Sequence, residues 1–168
     1  MPNHGMKFTA EEYYRAGMER MRQARLLHDS KENYALAMYC SGLAVECMLR
    51  AFRWTKDRSF EGRHDLEDLL KASGLLQLHE DRARRRGVSE EEIIQSTIDL
   101  RAAVSQVSAL WHNNLRFASD ARLHAFLKRI DRLRGIKGNV LKKNSLDLLN
   151  AAQVVIDQGV MLWISKKK

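Results

Sequence analysis

The chain has 168 residues, 45% of them apolar, and carries a net charge of +8. That length and apolar content suit one ordinary domain with a core of its own. The opening MPNHGMKF has no apolar h-region, and the run from Tyr34 to Val45 is cut short by Glu46, so neither a signal peptide nor a bilayer span is expected and the location expected is cytoplasmic. Cys40 and Cys47 lie seven positions apart on a helical stretch, about 10.5 Å at ~1.5 Å per residue. They are too far apart to bridge and too few to make a zinc site, which reads as buried thiols in a reducing compartment.

Almost every local signal is helical. Thr9 with Glu12 has capping-box spacing, and Tyr13, Gly17, Met21, Ala24 and His28 recur at intervals of four and three, predicting a helix over about 10–28. After a polar break, YALAMYCSGLAVECMLRAF predicts a second helix over about 33–55, apolar nearly all round and therefore central to a bundle. In SFEGRHDLEDLLKASGL a loop leads to a short helix that Asp65 is placed to cap, with Leu66, Leu69 and Leu70 as its apolar face. The charged piece HEDRARRRG that follows is expected to be exposed.

Ser89-Glu90-Glu91-Glu92 is a second capping box. Behind it Ile93, Thr97, Leu100, Val104, Val107 and Trp111 form a heptad-like seam, and Ile94, Ile98, Arg101, Ser105, Ser108 and His112 form a second register beside it. The next helix begins near Ser119 with Leu123, Phe126, Leu127, Ile130 and Leu133 inward and Arg122, Lys128, Arg129 and Arg132 outward. Gly135 and Gly138 mark a break, after which Asn144 or Ser145 is placed to cap a final helix reaching Trp163. The expectation is an all-α antiparallel bundle of about five substantial helices plus a short one, in a single domain over 1–168 with flexible ends at 1–8 and 165–168.

Charge is unevenly spread: residues 1–60 carry +3, residues 61–99 carry −4 and residues 100–168 carry +9. A positive C-terminal half attracts a polyanion such as RNA or an acidic protein partner. There is no Gly-rich phosphate loop, no H-E-x-x-H pair and no G-x-S-x-G elbow, and Glu46 lacks the companions a carboxylate-bridged metal site needs, so neither cofactor nor metal is expected.

The segments Ala44-Val45-Glu46-Cys47-Met48-Leu49-Arg50-Ala51 and His64-Asp65-Leu66, in their order after ARLLHDSKENYALAMYCSGLAVE and before WHNNLRF, resemble the HEPN family. These are helical-bundle proteins of prokaryotic defence and toxin–antitoxin systems. The resemblance implies a homodimer and, in the catalytic branch, a metal-independent endoribonuclease. Its signature is Arg, four to six residues, then His, brought together where two protomers meet. This chain departs from the signature near WHNNLRF: ten residues separate Arg101 from His112, and seven separate Arg116 from His124. Formal matches occur only at Arg22–His28 and Arg58–His64.

Two readings of Trp111-His112-Asn113-Asn114-Leu115-Arg116-Phe117 follow. In one, His112 and Arg116 are catalytic, helped by Arg101 of a second subunit, while Asn113, Asn114, Arg122, Arg129 and Arg132 contact nucleic acid. Helix continuation through residue 116 would put His112 and Arg116 on one face. In the other, the stretch is a hinge in which the asparagines satisfy the helix end and Trp111 with Phe117 seals the core. Of the remaining polar residues, Glu46 requires an ion pair, with Arg101, Arg50 or Arg25 as candidates, or else borders a polar site. His64 is expected to bond at its turn and Asp65 to cap. A twofold interface is expected along the Ile93–Trp111 seam or the apolar helix around Leu43.

Overall fold

A computed structural model describes residues 7–54 and 64–166. It contains seven α-helices, α1 (Ala10–Ser30), α2 (Tyr34–Trp54), α3 (Leu66–Ser73), α4 (Leu75–Arg85), α5 (Glu90–Leu110), α6 (Asp120–Arg129) and α7 (Val140–Lys166). A single 3-10 turn over Asn113–Phe117 joins α5 to α6, and the described residues include no strand. The chain is thus an all-α bundle, with more helices than the five and a short one that periodicity suggests. Of the termini expected to be flexible, 1–6 and 167–168 lie outside the described residues.

The helix starts follow from side-chain chemistry. Thr9 accepts a hydrogen bond from the Glu12 backbone N–H, and the Glu12 carboxylate accepts from the Thr9 N–H at 2.7 Å. Ser89 and Glu92 repeat the arrangement at the start of α5. Such boxes satisfy two of the orphan donors that every helix start leaves. Asp65 caps α3 by accepting from the Glu67 and Asp68 N–H groups.

The extra helix comes from the segment expected to be an exposed charged piece. Gly74 takes a left-handed conformation (φ 68°), ends α3, and lets α4 begin at once. Leu75 is fully buried, while Leu76 and Leu78 pack against the core from its edge. Of HEDRARRRG, Arg84, Arg85 and Arg86 are exposed as expected, with Arg84 paired to Glu90, whereas His79 to Arg82 are half-buried and Arg82 donates to the Met161 carbonyl of α7. A helix with one apolar turn and a charged remainder looks like a loop when composition alone is read.

The start of α7 also differs from expectation. Asn139 Oδ1 accepts from the Lys142 N–H at 2.9 Å, so the helix opens at Val140. Asn144 and Ser145 lie inside it and are buried. The Asn144 carboxamide donates to the Arg132 and Val140 carbonyls and accepts from Arg132 Nε, while Ser145 Oγ bonds His28 Nδ1 at 2.9 Å. Their role is to satisfy polar groups between helices rather than to cap.

Helix α2 is central: sixteen of its 21 residues are buried, and it packs against α1, α3, α5, α6, α7 and the 3-10 turn. By length and composition both α2 and α7 could cross a membrane, since the apolar stretch runs past Glu46. In α2 83% of that apolar window is covered by the rest of the bundle, which is how the core helix of a bundle spends its apolar surface. Cys40 and Cys47 are free and buried, and burial pushes the Cys47 thiol up to about 11. The seam Ile93, Thr97, Leu100, Val104, Val107 and Trp111 is buried within the chain, so it is not available to form the twofold interface expected of it.

Candidate functional site

The site is built on one tryptophan. Helix α5 stops at Leu110, and Trp111 turns extended (φ −97°, ψ 138°). Its indole lies in the slot left by Gly42, where a β-carbon would come within 2.1 Å of the ring. Its Nε1–H donates to the Tyr39 carbonyl at 3.1 Å. Pulling this ring onto α2 takes the chain out of the helical path, so the continuation that would have put His112 and Arg116 on one face does not occur.

His112, also extended (φ −140°, ψ 137°), starts the 3-10 turn: its Nδ1 accepts from the Asn114 N–H at 3.1 Å. Leu115 points into the core. Arg116 donates to Asn113 Oδ1 at 3.2 Å and lies 4.7 Å from the centroid of the Phe117 ring. Phe117 is 77% exposed. The core is therefore sealed here by Trp111 and Leu115, not by Phe117, and His112 faces solvent.

Ser119 caps α6. Leu123 and Leu127 of that helix are fully buried, which turns the stripe Arg122, Ala125, Phe126 and Arg129 toward the 3-10 turn. Between the stripe and His112, Asn114, Leu115 and Ala118 lies a groove of about 320 Å³. Its floor is apolar and its rim carries two guanidiniums, an imidazole and a carboxamide. The Arg129 guanidinium stands 5.8 Å from the Phe126 ring centroid. Among the described residues no carboxylate pairs with Arg122 or Arg129.

Three of the residues expected to contact nucleic acid, Asn114, Arg122 and Arg129, thus share one groove with His112, expected as a catalytic residue. The others do not join them. Asn113 and Arg116 bond each other. Arg132 is held by Asn144 and by Asp147, which also pairs with Lys143. Arg101 stands exposed on the outer side of α5.

A second polar cluster adjoins the same tryptophan. Glu46, buried in α2, accepts from Arg50 Nε at 2.7 Å and pairs with its NH2 at 2.6 Å. It also pairs with His64 Nδ1 at 2.9 Å. Of the candidate partners Arg50 is the one that neutralises it, while Arg25 bonds Gln153 instead. The half-exposed His64 ring meets the Trp111 ring edge-on at 6.3 Å. Of the two formal Arg–His matches, Arg58 lies outside the described residues. His28 of the other is buried against Ser145, and burial lowers its pKa from the usual imidazole range.

Gly42, Tyr39 and Phe126 are the site-building residues that the sequence reading did not assign. Gly42 did carry a signal, because an isolated glycine inside an apolar helix needs a packing reason.

The hydrogen bonding sets the chemistry of His112. With Nδ1 accepting from a backbone N–H, the neutral ring carries its proton on Nε2 and offers a donor to the solvent side. Among the described residues no group of three His, Cys, Asp or Glu side chains is placed to hold a metal ion. No family model, no curated protein and no solved structure matches the chain.

Proposed function

We propose that the chain is a HEPN-like, homodimeric module that binds single-stranded RNA in the groove between the 3-10 turn and α6, in the defence or toxin–antitoxin setting the resemblance implies. The observation that carries this reading is the groove itself. Two exposed arginines without carboxylate partners stand seven residues apart on α6, over an apolar floor that includes an aromatic ring. Cationic rims that follow phosphates above apolar and aromatic floors that accept bases are how single strands are held without a rigid sequence code. His112 and Asn114 add donors at the opposite wall. The excess of +9 over residues 100–168 supplies the long-range attraction.

A metal-independent ribonuclease is the second reading, favoured by the exposure of His112 beside these arginines. To protonate a leaving oxygen the ring would have to be an imidazolium, which gives up the hydrogen bond that Nδ1 accepts from the Asn114 N–H. Cleavage also requires a group to take the 2′-hydroxyl proton, and no carboxylate or second imidazole lines the groove. Binding is therefore the reading adopted.

Fluorescence anisotropy with a labelled single-stranded RNA in EDTA, followed by gel analysis of the same RNA, tests both. Expected is binding with the RNA left intact, weakened by Arg122→Ala and by Arg129→Ala. Absence of binding overturns the RNA reading in favour of a protein partner. Cleavage removed by His112→Ala would establish the enzyme.

A further inference from the structure

The inner seam of α5 is consumed by the core, yet the helix carries a second stripe of the same spacing that the protomer leaves bare. Glu91, Ile94, Ile98 and Arg101 recur at three, four and three residues, and all four are exposed, the isoleucines at 57% and 53%. Two large apolar side chains one turn apart on a solvated face are flanked by an acid at one end and a base at the other. Among the described residues neither Glu91 nor Arg101 has an ion pair or side-chain hydrogen bond. Their neighbours behave otherwise, since Glu90 is taken by Arg84 and Glu92 by its capping box.

The order of charge along the stripe is self-complementary. We propose that α5 pairs antiparallel with α5 of a second copy of this chain, about a twofold axis level with residue 96. In that register Ile94 faces the partner's Ile98 and Glu91 faces the partner's Arg101, each contact occurring twice by symmetry. The three-four spacing is that of an antiparallel coiled-coil seam. A parallel pairing would instead set Glu91 against the partner's Glu91 and Arg101 against the partner's Arg101, and like charges select against it.

This inference rests on the homodimer in the proposed function and replaces the buried seam as its interface. It also has a consequence for the groove. The end of α5 at Leu110 lies fourteen positions from the axis, about 21 Å along the helix at ~1.5 Å per residue, and each His112 lies beyond that end. The partner's Arg101 sits opposite Glu91, at the far end of α5 from His112. The two grooves therefore work separately at opposite ends of the dimer, and no composite Arg101–His112 site forms.

Sedimentation equilibrium of the full chain at tens of micromolar, with circular dichroism melts of each variant as a folding control, tests the register. Expected are a dimer for the natural sequence, a monomer for Ile98→Asp, and a dimer weakened about tenfold for Arg101→Glu through two new acid–acid contacts. The combined Glu91→Arg and Arg101→Glu exchange should restore dimerisation, because it recreates both ion pairs with their signs reversed. A dimer indifferent to Ile98→Asp, or an exchange that fails to restore it, overturns this interface while leaving the homodimer standing. A natural sequence that is monomeric overturns both.

Discussion

Two polar clusters in the bundle are built on opposite terms. In one, Glu46, Arg50 and His64 bond one another beside Trp111, with the carboxylate buried and its charge neutralised inside the bundle. In the other, Arg122 and Arg129 face a groove with no carboxylate among the described residues to meet them. In the closed cluster the buried carboxylate and guanidinium are already paired with each other, and only the half-exposed His64 ring reaches solvent. The open one keeps its charge available. Polar residue type alone does not separate these cases; partner count does.

If the closed cluster is structural, removing its centre should give the largest effect. Glu46→Ala leaves a buried guanidinium without the carboxylate that neutralises it and should cost about 3–5 kcal/mol in a denaturant titration. A loss below about 1 kcal/mol would mean that the cluster is wet and tolerant. Next comes the slot in α2 that holds Trp111. Gly42→Ala drives a methyl group into the indole of Trp111, and overpacking of this kind should cost about 1–3 kcal/mol. It should also disturb the groove, so RNA affinity should fall with stability even though residue 42 lines no part of it.

Acid should reveal a smaller effect elsewhere. Burial lowers the pKa of His28 and of His79, the latter bonded to Ser96 and Gln158. The unfolded chain protonates these imidazoles near pH 6.5 while the folded chain resists. Their contribution is therefore complete above about pH 6.5 and declines as pH falls toward the folded values. Replacing both with Gln should flatten stability between about pH 6.5 and 5; an unchanged slope would contradict the assignment. The smallest effect is expected at Phe117, where substitution by Ala should change stability by less than about 0.5 kcal/mol because the ring is mostly solvated.

Much of this arrangement was legible in the sequence, and the misses share a cause. Capping boxes at Thr9 and Ser89, the cap at Asp65 and the central place of α2 follow from local chemistry and periodicity, which act within a few residues. Helix α4 was hidden because only one of its turns is strongly apolar. The end of α5 at Leu110 depends on Gly42, sixty-nine positions away from Trp111 in the chain and directly against its ring. Asn144 and Ser145 suit a helix start by type, but contacts with Arg132 and His28 decide their place. Within WHNNLRF the two aromatics look equivalent as letters, and only the slot in α2 selects Trp111 over Phe117. Long-range packing makes these choices, and short spacings do not record it.

The central claim is that the open charges at Arg122 and Arg129 meet phosphates. Its most direct measurement is the salt dependence of binding to a single-stranded RNA, for the natural chain and for the Arg122→Ala, Arg129→Ala double variant. Each phosphate contact contributes about 0.7 to the slope of log K against log salt for a single strand. The account predicts a slope shallower by about 1.4 in the double variant, with both proteins equally folded. Equal slopes would place the phosphate contacts elsewhere and contradict it.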